Sequence, residues 1–215
     1  MIFFFSRPVP LMMLLLVCTG ISVMVSAVQV VQIPLGALPQ DTLRLAVVPI
    51  THFLHVLTGT LFGLLGPLQF FNVLRHRFGL LHRLTGWVFV LSGWALGLSG
   101  WGLLMGVEHI STELLVVARG IFGLALIAAL VQAVLAALAG DIVRHRAWMI
   151  RAYVIGMGSG TAGLVMLPIY LATGEPVYGL FSDIVVIGMW LISILVGEWV
   201  IRRLAFHKPQ LSTAV

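Results

Sequence analysis

The stretch LLVVARGIFGLALIAALVQAVLAALA, residues 114–139, decides the fold of this chain. It exceeds the roughly 20 apolar residues that a helix needs to cross a bilayer about 30 Å thick. A single charged residue, Arg119, interrupts it. Its apolar residues run continuously instead of alternating, and backbone in lipid satisfies its hydrogen bonds only within a helix or a closed barrel. The stretch therefore predicts a membrane-spanning helix.

Five further apolar stretches flank this one, so the pattern predicts six spanning helices. The predicted spans are residues 9–31, 46–74, 84–106, 112–139, 152–172 and 183–201. The composition agrees, since 60% of the 215 residues are hydrophobic and 9% are charged, against about a quarter charged in a soluble domain. We expect an all-α, polytopic membrane helical bundle that forms one domain over residues 1–215. Its four-helix core would lie at about 46–172, between flanking helices 9–31 and 183–201.

The positive charges predict the orientation of the bundle, because cytoplasmic loops retain Lys and Arg during insertion. Ten basic residues fall on one side: Arg7, Arg75, Arg77, Arg83, Arg144, Arg146, Arg151, Arg202, Arg203 and Lys208. Arg44 lies opposite, and Arg119 lies within a span. Five acids fall on the outer side: Asp41, Glu108, Glu113, Glu175 and Asp183. Both termini are thus predicted to lie on the cytoplasmic side of a cytoplasmic (inner) membrane.

The first span allows a second interpretation. Arg7, the apolar run 9–25 and the small-residue ending at Ala27 are also the pattern of a cleavable signal peptide. The apolar run continues past Ala27, which favours a retained helix. Cleavage would leave five spans with the same loop orientation.

The cysteine count, the absent motifs and the net charge restrict the reactions and partners that we expect for this chain. Cys18 is the single cysteine, so an intrachain disulfide is excluded. The sequence has no HExxH, GxSxG, CxxC or P-loop pattern, which argues against hydrolase, thiol and nucleotide-driven chemistry. The formal net charge of +5 reflects orientation bias, so the lipid bilayer is an expected partner and nucleic acid is not.

Glycine and tryptophan repeat along the third span. Three pairs follow at seven-residue spacing: Gly86-Trp87, Gly93-Trp94 and Gly100-Trp101. The favoured interpretation is close helix packing on small residues, and the alternative is a flat slot for a planar cofactor edged by indoles.

The fifth and sixth spans carry packing and charge signals. Four glycines precede Pro168, namely Gly156, Gly158, Gly160 and Gly163. They predict a tightly packed, bent helix. Glu198 and Arg202 have the i,i+4 spacing of an ion pair within one helix.

His55 and Arg119 are predicted to lie at nearly equal depths near the outer side. Neutral imidazole is the usual axial ligand of b-type haem in membranes, and Gly59 and Gly63 would leave room for a flat group below His55. The alternative is a neutral histidine that is hydrogen-bonded to a neighbouring helix.

Arg119 is a candidate binding residue because a cation at the bilayer centre costs at least about 2.5 kcal/mol. It would pair with a haem propionate, an anionic substrate, Glu108 or Glu113. The alternative is that its side chain snorkels to the outer surface.

His82 and His145 form a second candidate pair, at the inner side. Each precedes an arginine at the entry to a span that runs inward to outward, so the imidazoles would stand at equal depth. That geometry suits a bis-histidine haem b or a quinone head group, and it makes both residues, with His55, candidate ligands of haem iron. The alternative is that both belong to basic loops that bind anionic lipid head groups.

Three strings carry a resemblance to a known family: HVLTG and GPLQ within residues 55–69, RHR and LHRLTGW within 75–87, and RHRAWMIRAY at 144–153. Over about residues 50–170 the chain resembles a family of predicted multi-pass bacterial membrane proteins without an established function. The most specific piece is HRAWMIR. The resemblance implies no reaction. It implies that nine residues match the motif positions of the family: His55, Gln69, His82, Arg83, His145, Arg146, Trp148, Met149 and Arg151.

A looser likeness is to b-type transmembrane cytochromes, which pass electrons between quinol or ascorbate and an acceptor. It implies a helical bundle with intramembrane histidines. The chain departs from that pattern, because those proteins show two histidine pairs well inside the helices and only His55 is clearly deep here.

Three functional hypotheses follow. The leading one is haem- or quinone-associated electron transfer, with an inner site at His82 and His145 and an outer site at His55 and Arg119. The second is a small-solute transporter in which His55, Arg119 and Gln132 line a polar cavity. The third is a non-catalytic assembly subunit, whose glycine-rich faces bind another membrane protein or a second copy of the chain in a homo-oligomer.

Overall fold

The computed structural model describes residues 8–40 and 42–206. Three residues of the charge count, Arg7, Asp41 and Lys208, lie outside this part. The described part contains helices and no strand. The helices are α1 (Pro8–Gln32), α2 (Pro49–Gln69), α3 (Asn72–Arg77), α4 (Gly79–Gly106), α5 (Glu113–Leu138), α6 (Ile142–Gly158), α7 (Gly163–Thr173) and α8 (Leu180–Phe206). Two 3-10 turns, Leu43–Val47 and Ser159–Ala162, precede α2 and join α6 to α7.

Five helical stretches are long and apolar enough to cross a membrane, and the apolar stretch Val17–Gln32 of α1 is a shorter sixth. The prediction of an all-α multi-pass bundle is confirmed. Many large apolar side chains, such as those of Leu98, Leu138 and Leu195, are exposed on its outside, where lipid would cover them.

The ends of several helices differ from the predicted spans. The second span ends at Gln69, and the short α3 carries the Arg75–Arg77 cluster. The third and fifth spans begin earlier than predicted, at Gly79 and Ile142, so His82 and His145 lie in the first turns of helices instead of in loops. Hydropathy marks only the part of a helix that lies in hydrocarbon, whereas long polar side chains let the helix continue into the head-group region.

α6 lies at the centre of the bundle, in contact with α2, α4, α5 and α8. α2 packs against α4, and α4 against α5. α1 packs on the outside of α2 and against the 3-10 turn that follows α6. The loops alternate between two ends, which we name by charge. The basic end carries residues 70–78 and 139–146, and the opposite end carries residues 33–48, 107–112 and 174–179.

A stack of three aromatic rings fills the middle of the bundle. Phe62 and Phe89 are fully buried, with ring centroids 4.3 Å apart, and Tyr153 lies 5.9 Å from Phe62. The Tyr153 hydroxyl donates to the Gly63 carbonyl at 3.2 Å and lies 3.1 Å from the Thr19 hydroxyl. The stack therefore joins α1, α2, α4 and α6.

One repeat governs the contact between α2 and α4. Three large side chains of α2, spaced seven residues apart, each face a glycine of α4; the pairs are His55–Gly100, Phe62–Gly93 and Gln69–Gly86. The prediction of close packing on the third span is confirmed. The alternative slot for a planar cofactor is filled by the protein's own side chains.

The fifth span is interrupted at its glycines, and Pro168 lies within α7. At the interruption, Ser22 of α1 donates to the Gly160 carbonyl at 2.8 Å, and Trp190 Nε1 of α8 donates to the Ile155 carbonyl at 2.6 Å. Neighbouring helices thus satisfy backbone groups where the helix changes its turn.

We expect Gly66→Ala to destabilise the protein by about 1–3 kcal/mol through overpacking. A Cβ atom at Gly66 would overlap the ring of Tyr153, which is 1% exposed and held by two hydrogen bonds. The measurement is the melting temperature of the detergent-purified protein.

The matched control for this prediction is Gly188→Ala in α8. A Cβ atom there meets nothing within 4 Å, and alanine favours helix over glycine by about 1 kcal/mol. Equal melting temperatures for the two variants would contradict the close approach of α2 and Tyr153.

Candidate functional sites at the two ends of the bundle

Two cavities lie at opposite ends of the bundle, and each brings together one predicted pair of site residues. The basic-end cavity has a volume of about 380 Å³, and the side chains of Arg75, His82, Arg83, His145 and Arg146 line it. The opposite-end cavity has a volume of about 440 Å³, and its lining includes Arg44, His52, His55, His109 and Arg119. Both volumes fall within the range of small-molecule sites, about 300–1,000 Å³.

The imidazoles of the basic-end cavity come from two helices. His82 lies in the first turn of α4 and His145 in the first turn of α6, and they are close enough to interact electrostatically. His145 Nδ1 lies 2.8 Å from the Ala133 carbonyl and can only donate to it, which leaves Nε2 as the free acceptor. His82 Nδ1 is buried and has no hydrogen-bond partner among the described residues.

Three arginines surround these imidazoles. Arg75 interacts electrostatically with His82 and with Arg146, so like charges are gathered at this end. None of the described residues that line the cavity is acidic. The cavity can therefore bind an anion or an anionic group of a larger ligand.

The string HRAWMIR, residues 145–151, covers nearly two turns near the start of α6. His145, Arg146 and Met149 line the cavity. Arg151 points to α8, where Nε and Nη2 donate to Glu198 at 2.5 and 3.0 Å, and its guanidinium lies 4.8 Å from the Trp148 ring. This short stretch of helix thus contributes a candidate ligand, part of the cavity lining and an interhelical ion pair.

Glu198 was expected to pair with Arg202 on the same helix, and that prediction is wrong. Among the described residues its ion pair is with Arg151 of α6. Arg202 is exposed and contributes only a longer-range electrostatic interaction. An i,i+4 spacing makes a pair available, but a bidentate guanidinium from a neighbouring helix is the stronger partner.

His55 lies in the opposite-end cavity beside Ser99 of α4. The Ser99 hydroxyl donates to the Leu96 carbonyl at 3.1 Å and lies 3.2 Å from His55 Nδ1, so it accepts the Nδ1 proton and leaves Nε2 as an acceptor. This is the alternative interpretation of His55, a neutral histidine that is hydrogen-bonded to a neighbouring helix.

The flat space predicted below His55 does not exist. A Cβ atom at Gly63 would overlap Val23 and lie 3.1 Å from Met157 Cε, and one at Gly59 would lie 3.5 Å from Leu96 Cδ1. The protein's own side chains occupy the room expected for a macrocycle. The side of His55 that carries Gly59 and Gly63 therefore does not fit a haem.

Arg119 lines the same cavity as His55, as their depths predicted. Its Nη1 donates to the Ser111 hydroxyl at 3.3 Å, and it interacts electrostatically with Asp183 and Arg44. The predicted ion pair with Glu108 or Glu113 is absent from the described residues.

Three residues of the opposite-end cavity were missed by the sequence analysis. His52 is 2% exposed, and its Nε2 lies 3.2 Å from Gln29 Oε1 of α1. Arg44 donates to the Glu108 carbonyl at 3.1 Å, and His109 lines the cavity from the adjoining loop. Only His52 carried a signal, because it shares a helical face with His55.

Gln132 does not line the cavity of His55 and Arg119. Its Oε1 accepts from Arg144 Nη2 at 2.9 Å, near the basic end of α5. The polar cavity of the transporter hypothesis therefore lacks this residue. Trp101 is the only tryptophan of the glycine–tryptophan repeat that lines it, since Trp94 packs on the core and Trp87 is 51% exposed.

The comparisons with known proteins give one match. A family model described as "Predicted membrane protein (DUF2306)" matches residues 52–201, which is more than half of the chain. No curated protein and no solved structure matches.

Arg151→Leu should destabilise the protein by about 1–2 kcal/mol, because it leaves Glu198 without its partner. A fully buried pair would lose 3–5 kcal/mol, but both side chains here are about 30% exposed. The swapped double variant Arg151→Glu with Glu198→Arg should recover part of the loss in melting temperature. Arg202→Leu is the control. An equal loss of melting temperature in that variant would support the pair of Glu198 with Arg202 that the sequence predicted.

Proposed function

The chain belongs to the family of predicted membrane proteins (DUF2306) and is an integral membrane protein; because that description names no reaction, we propose from the geometry that it is a membrane redox protein that binds one b-type haem in the basic-end cavity. His82 of α4 and His145 of α6 would be the axial ligands. The site would lie within one turn of the helix ends, close to the aqueous phase.

One observation carries this proposal: two imidazoles from different helices line one cavity, and one is oriented by a backbone carbonyl. The contact of His145 Nδ1 with the Ala133 carbonyl is the arrangement that fixes the tautomer of a metal-ligating histidine. The unpartnered Nδ1 of His82 leaves that ring free to turn either nitrogen toward a ligand. The donor set fits a b-type haem, whose usual axial ligands in membranes are neutral imidazoles.

The arginines of this cavity would hold the haem's carboxylates. Arg75, Arg83 and Arg146 line it, and arginine pairs bidentately with propionate groups. Bound haem would supply one-electron chemistry by cycling between its ferric and ferrous states. A quinone head group is the other occupant that this donor set admits, since its carbonyl oxygens would accept hydrogen bonds from the imidazole and guanidinium N–H groups.

The closed centre of the bundle favours electron transfer over movement of a solute. Phe62 and Phe89 are 0% exposed and Tyr153 is 1% exposed, and this stack separates the two cavities. A solute would need a path through this stack, whereas a haem at the basic end needs none.

Anion transport is the second candidate, because both cavities are basic and none of their described lining residues is acidic. Alternating access would need a site that opens to each end in turn. The aromatic stack would then have to separate during each cycle.

We expect the purified protein to show a Soret band, either as isolated or after addition of haemin and removal of unbound haemin by gel filtration. His82→Ala or His145→Ala should weaken and shift the band, because each removes one axial ligand. His76→Gln is the matched control, since His76 is exposed at the same end and does not line the cavity, and glutamine keeps an acceptor for Arg75 Nη2.

Two results would exclude the haem. One is wild-type protein that shows no Soret band after haemin addition and gel filtration. The other is an unchanged band in both His82→Ala and His145→Ala, with gel filtration showing that the variants remain folded.

The transport hypothesis predicts uptake of chloride, phosphate or acetate into proteoliposomes above the level of protein-free liposomes. That uptake should be lost in Arg119→Ala and retained in Arg77→Ala, which removes an exposed charge at the basic end. Uptake no faster than in protein-free liposomes would exclude transport of these anions.

A further inference from the structure

The opposite-end cavity carries positive charge. Arg44 and Arg119 line it together with the imidazoles of His52, His55 and His109. No Asp or Glu within residues 8–40 and 42–206 lines it. In a cavity walled by apolar helices, such charge attracts anions strongly because water screens it poorly.

Arg119 has donors to spare toward this cavity. Its guanidinium carries five N–H groups, and Nη1 uses one of them on the Ser111 hydroxyl. Asp183 attracts it electrostatically, but that carboxylate is 2% exposed and already accepts from the Thr112 amide at 2.6 Å and the Ser182 hydroxyl at 3.3 Å. No ion pair within the described residues joins the two.

His52 and Arg44 each present a buried nitrogen without a partner. His52 is 2% exposed; its Nε2 contacts Gln29, and its Nδ1 has no hydrogen-bond partner. Arg44 Nη1 donates to the Glu108 carbonyl, whereas Arg44 Nε is buried and unpaired. Leaving such atoms unpaired is costly, so their presence on one cavity indicates a missing partner.

An oxyanion bound in this cavity would find a donor in each of these groups. It would accept from the guanidinium N–H groups of Arg119 and from Arg44 Nε. It also accepts from His52 Nδ1 once the Gln29 amide turns so that its NH₂ donates to Nε2, since the two orientations of an amide are interchangeable in such a contact.

A second, larger cavity gives access to the first. It has a volume of about 790 Å³. Its lining includes apolar side chains of α1 and α7, among them Ile21, Val25 and Leu167, and also the side chain of Asp183. The two cavities share Arg44, Arg119 and Val186. The arginines therefore stand at the junction, where an entering ligand meets both.

We infer that the opposite-end cavity is a binding site for an oxyanion, a carboxylate or a phosphate, held by Arg44, Arg119 and His52. The site is independent of the haem proposed at the basic end, because the two cavities are separated by the aromatic stack. The ligand comes either from water, as a small acid or inorganic phosphate, or from the bilayer, as a fatty acid whose tail occupies the larger cavity.

The test compares benzoate with benzamide, its neutral counterpart of nearly equal shape, on the full chain in nanodiscs. Isothermal titration calorimetry should show binding of benzoate and none of benzamide. Inorganic phosphate in the same titration, and displacement of benzoate by palmitate, distinguish the sources. Binding of phosphate alone identifies an inorganic ion as the ligand, and displacement by palmitate identifies a lipid-derived acid. Equal binding of benzoate and benzamide, or no binding of any of the three anions, would overturn the inference.

Variants locate the site. Arg119→Gln should weaken binding of the anion at least about tenfold, as expected for loss of a charged hydrogen bond. Arg44→Gln, in the 3-10 turn outside the helical core, should act in the same direction and serves if Arg119→Gln does not fold. Arg77→Gln removes an equal charge at the basic end and should leave binding within twofold. Unchanged binding in both Arg119→Gln and Arg44→Gln would place the anion elsewhere. A Soret band that persists in these variants would show that the basic-end site is separate.

Discussion

The close approach of helix backbones around Phe62 is the contact on which the bundle depends. Lipid gives no hydrophobic drive for helices to associate, so stability comes from van der Waals packing and hydrogen bonds between them. Phe62 of α2 reaches α4 and α6 because glycines stand where side chains would block it, at Gly93 and Gly156. Tyr153 then fits against Gly66 and donates to the Gly63 carbonyl. Four helices are fixed by one cluster of rings.

A centre so densely packed leaves no room for a ligand, and the candidate binding residues line cavities at the two ends. At the basic end, the helix starts of α4 and α6 bring two imidazoles and their arginines together. At the other end, the 3-10 turn before α2 and the loop before α5 close over His55 and Arg119. α1 contributes to that end through Gln29, which contacts His52. The first helix is thus part of the site's support and not only a covering helix.

The sequence predicted the features that depend on depth along a helix. Continuous hydropathy located the six spans, and equal depth on antiparallel or parallel helices placed His55 with Arg119 and His82 with His145. Contacts between residues of neighbouring helices could not be predicted in this way, because they depend on how each helix is rotated and on which helices pack together. Glu198 pairs with Arg151 of α6 for that reason, and Arg44 and His109 enter a cavity from loops whose path hydropathy does not describe. The prediction that Gln132 lines the cavity of Arg119 did not respect depth, since Gln132 lies more than three turns beyond Arg119 on the same helix.

The seven-residue match between α2 and α4 also constrains how this sequence can diverge. His55, Phe62 and Gln69 each lie against a glycine of α4, and the constraint on size is strictest at the middle pair. A Cβ atom at residue 93 would lie 2.7 Å from Phe62 Cε2 and 2.5 Å from Leu130 Cδ1, whereas one at residue 100 would make ordinary contact with His55 at 3.5 Å. In an alignment of relatives, residues 93 and 62 should therefore vary together in volume. Exchanging one pair for the next would require a shift of seven residues, or two full turns. The two helices are therefore held at one relative height.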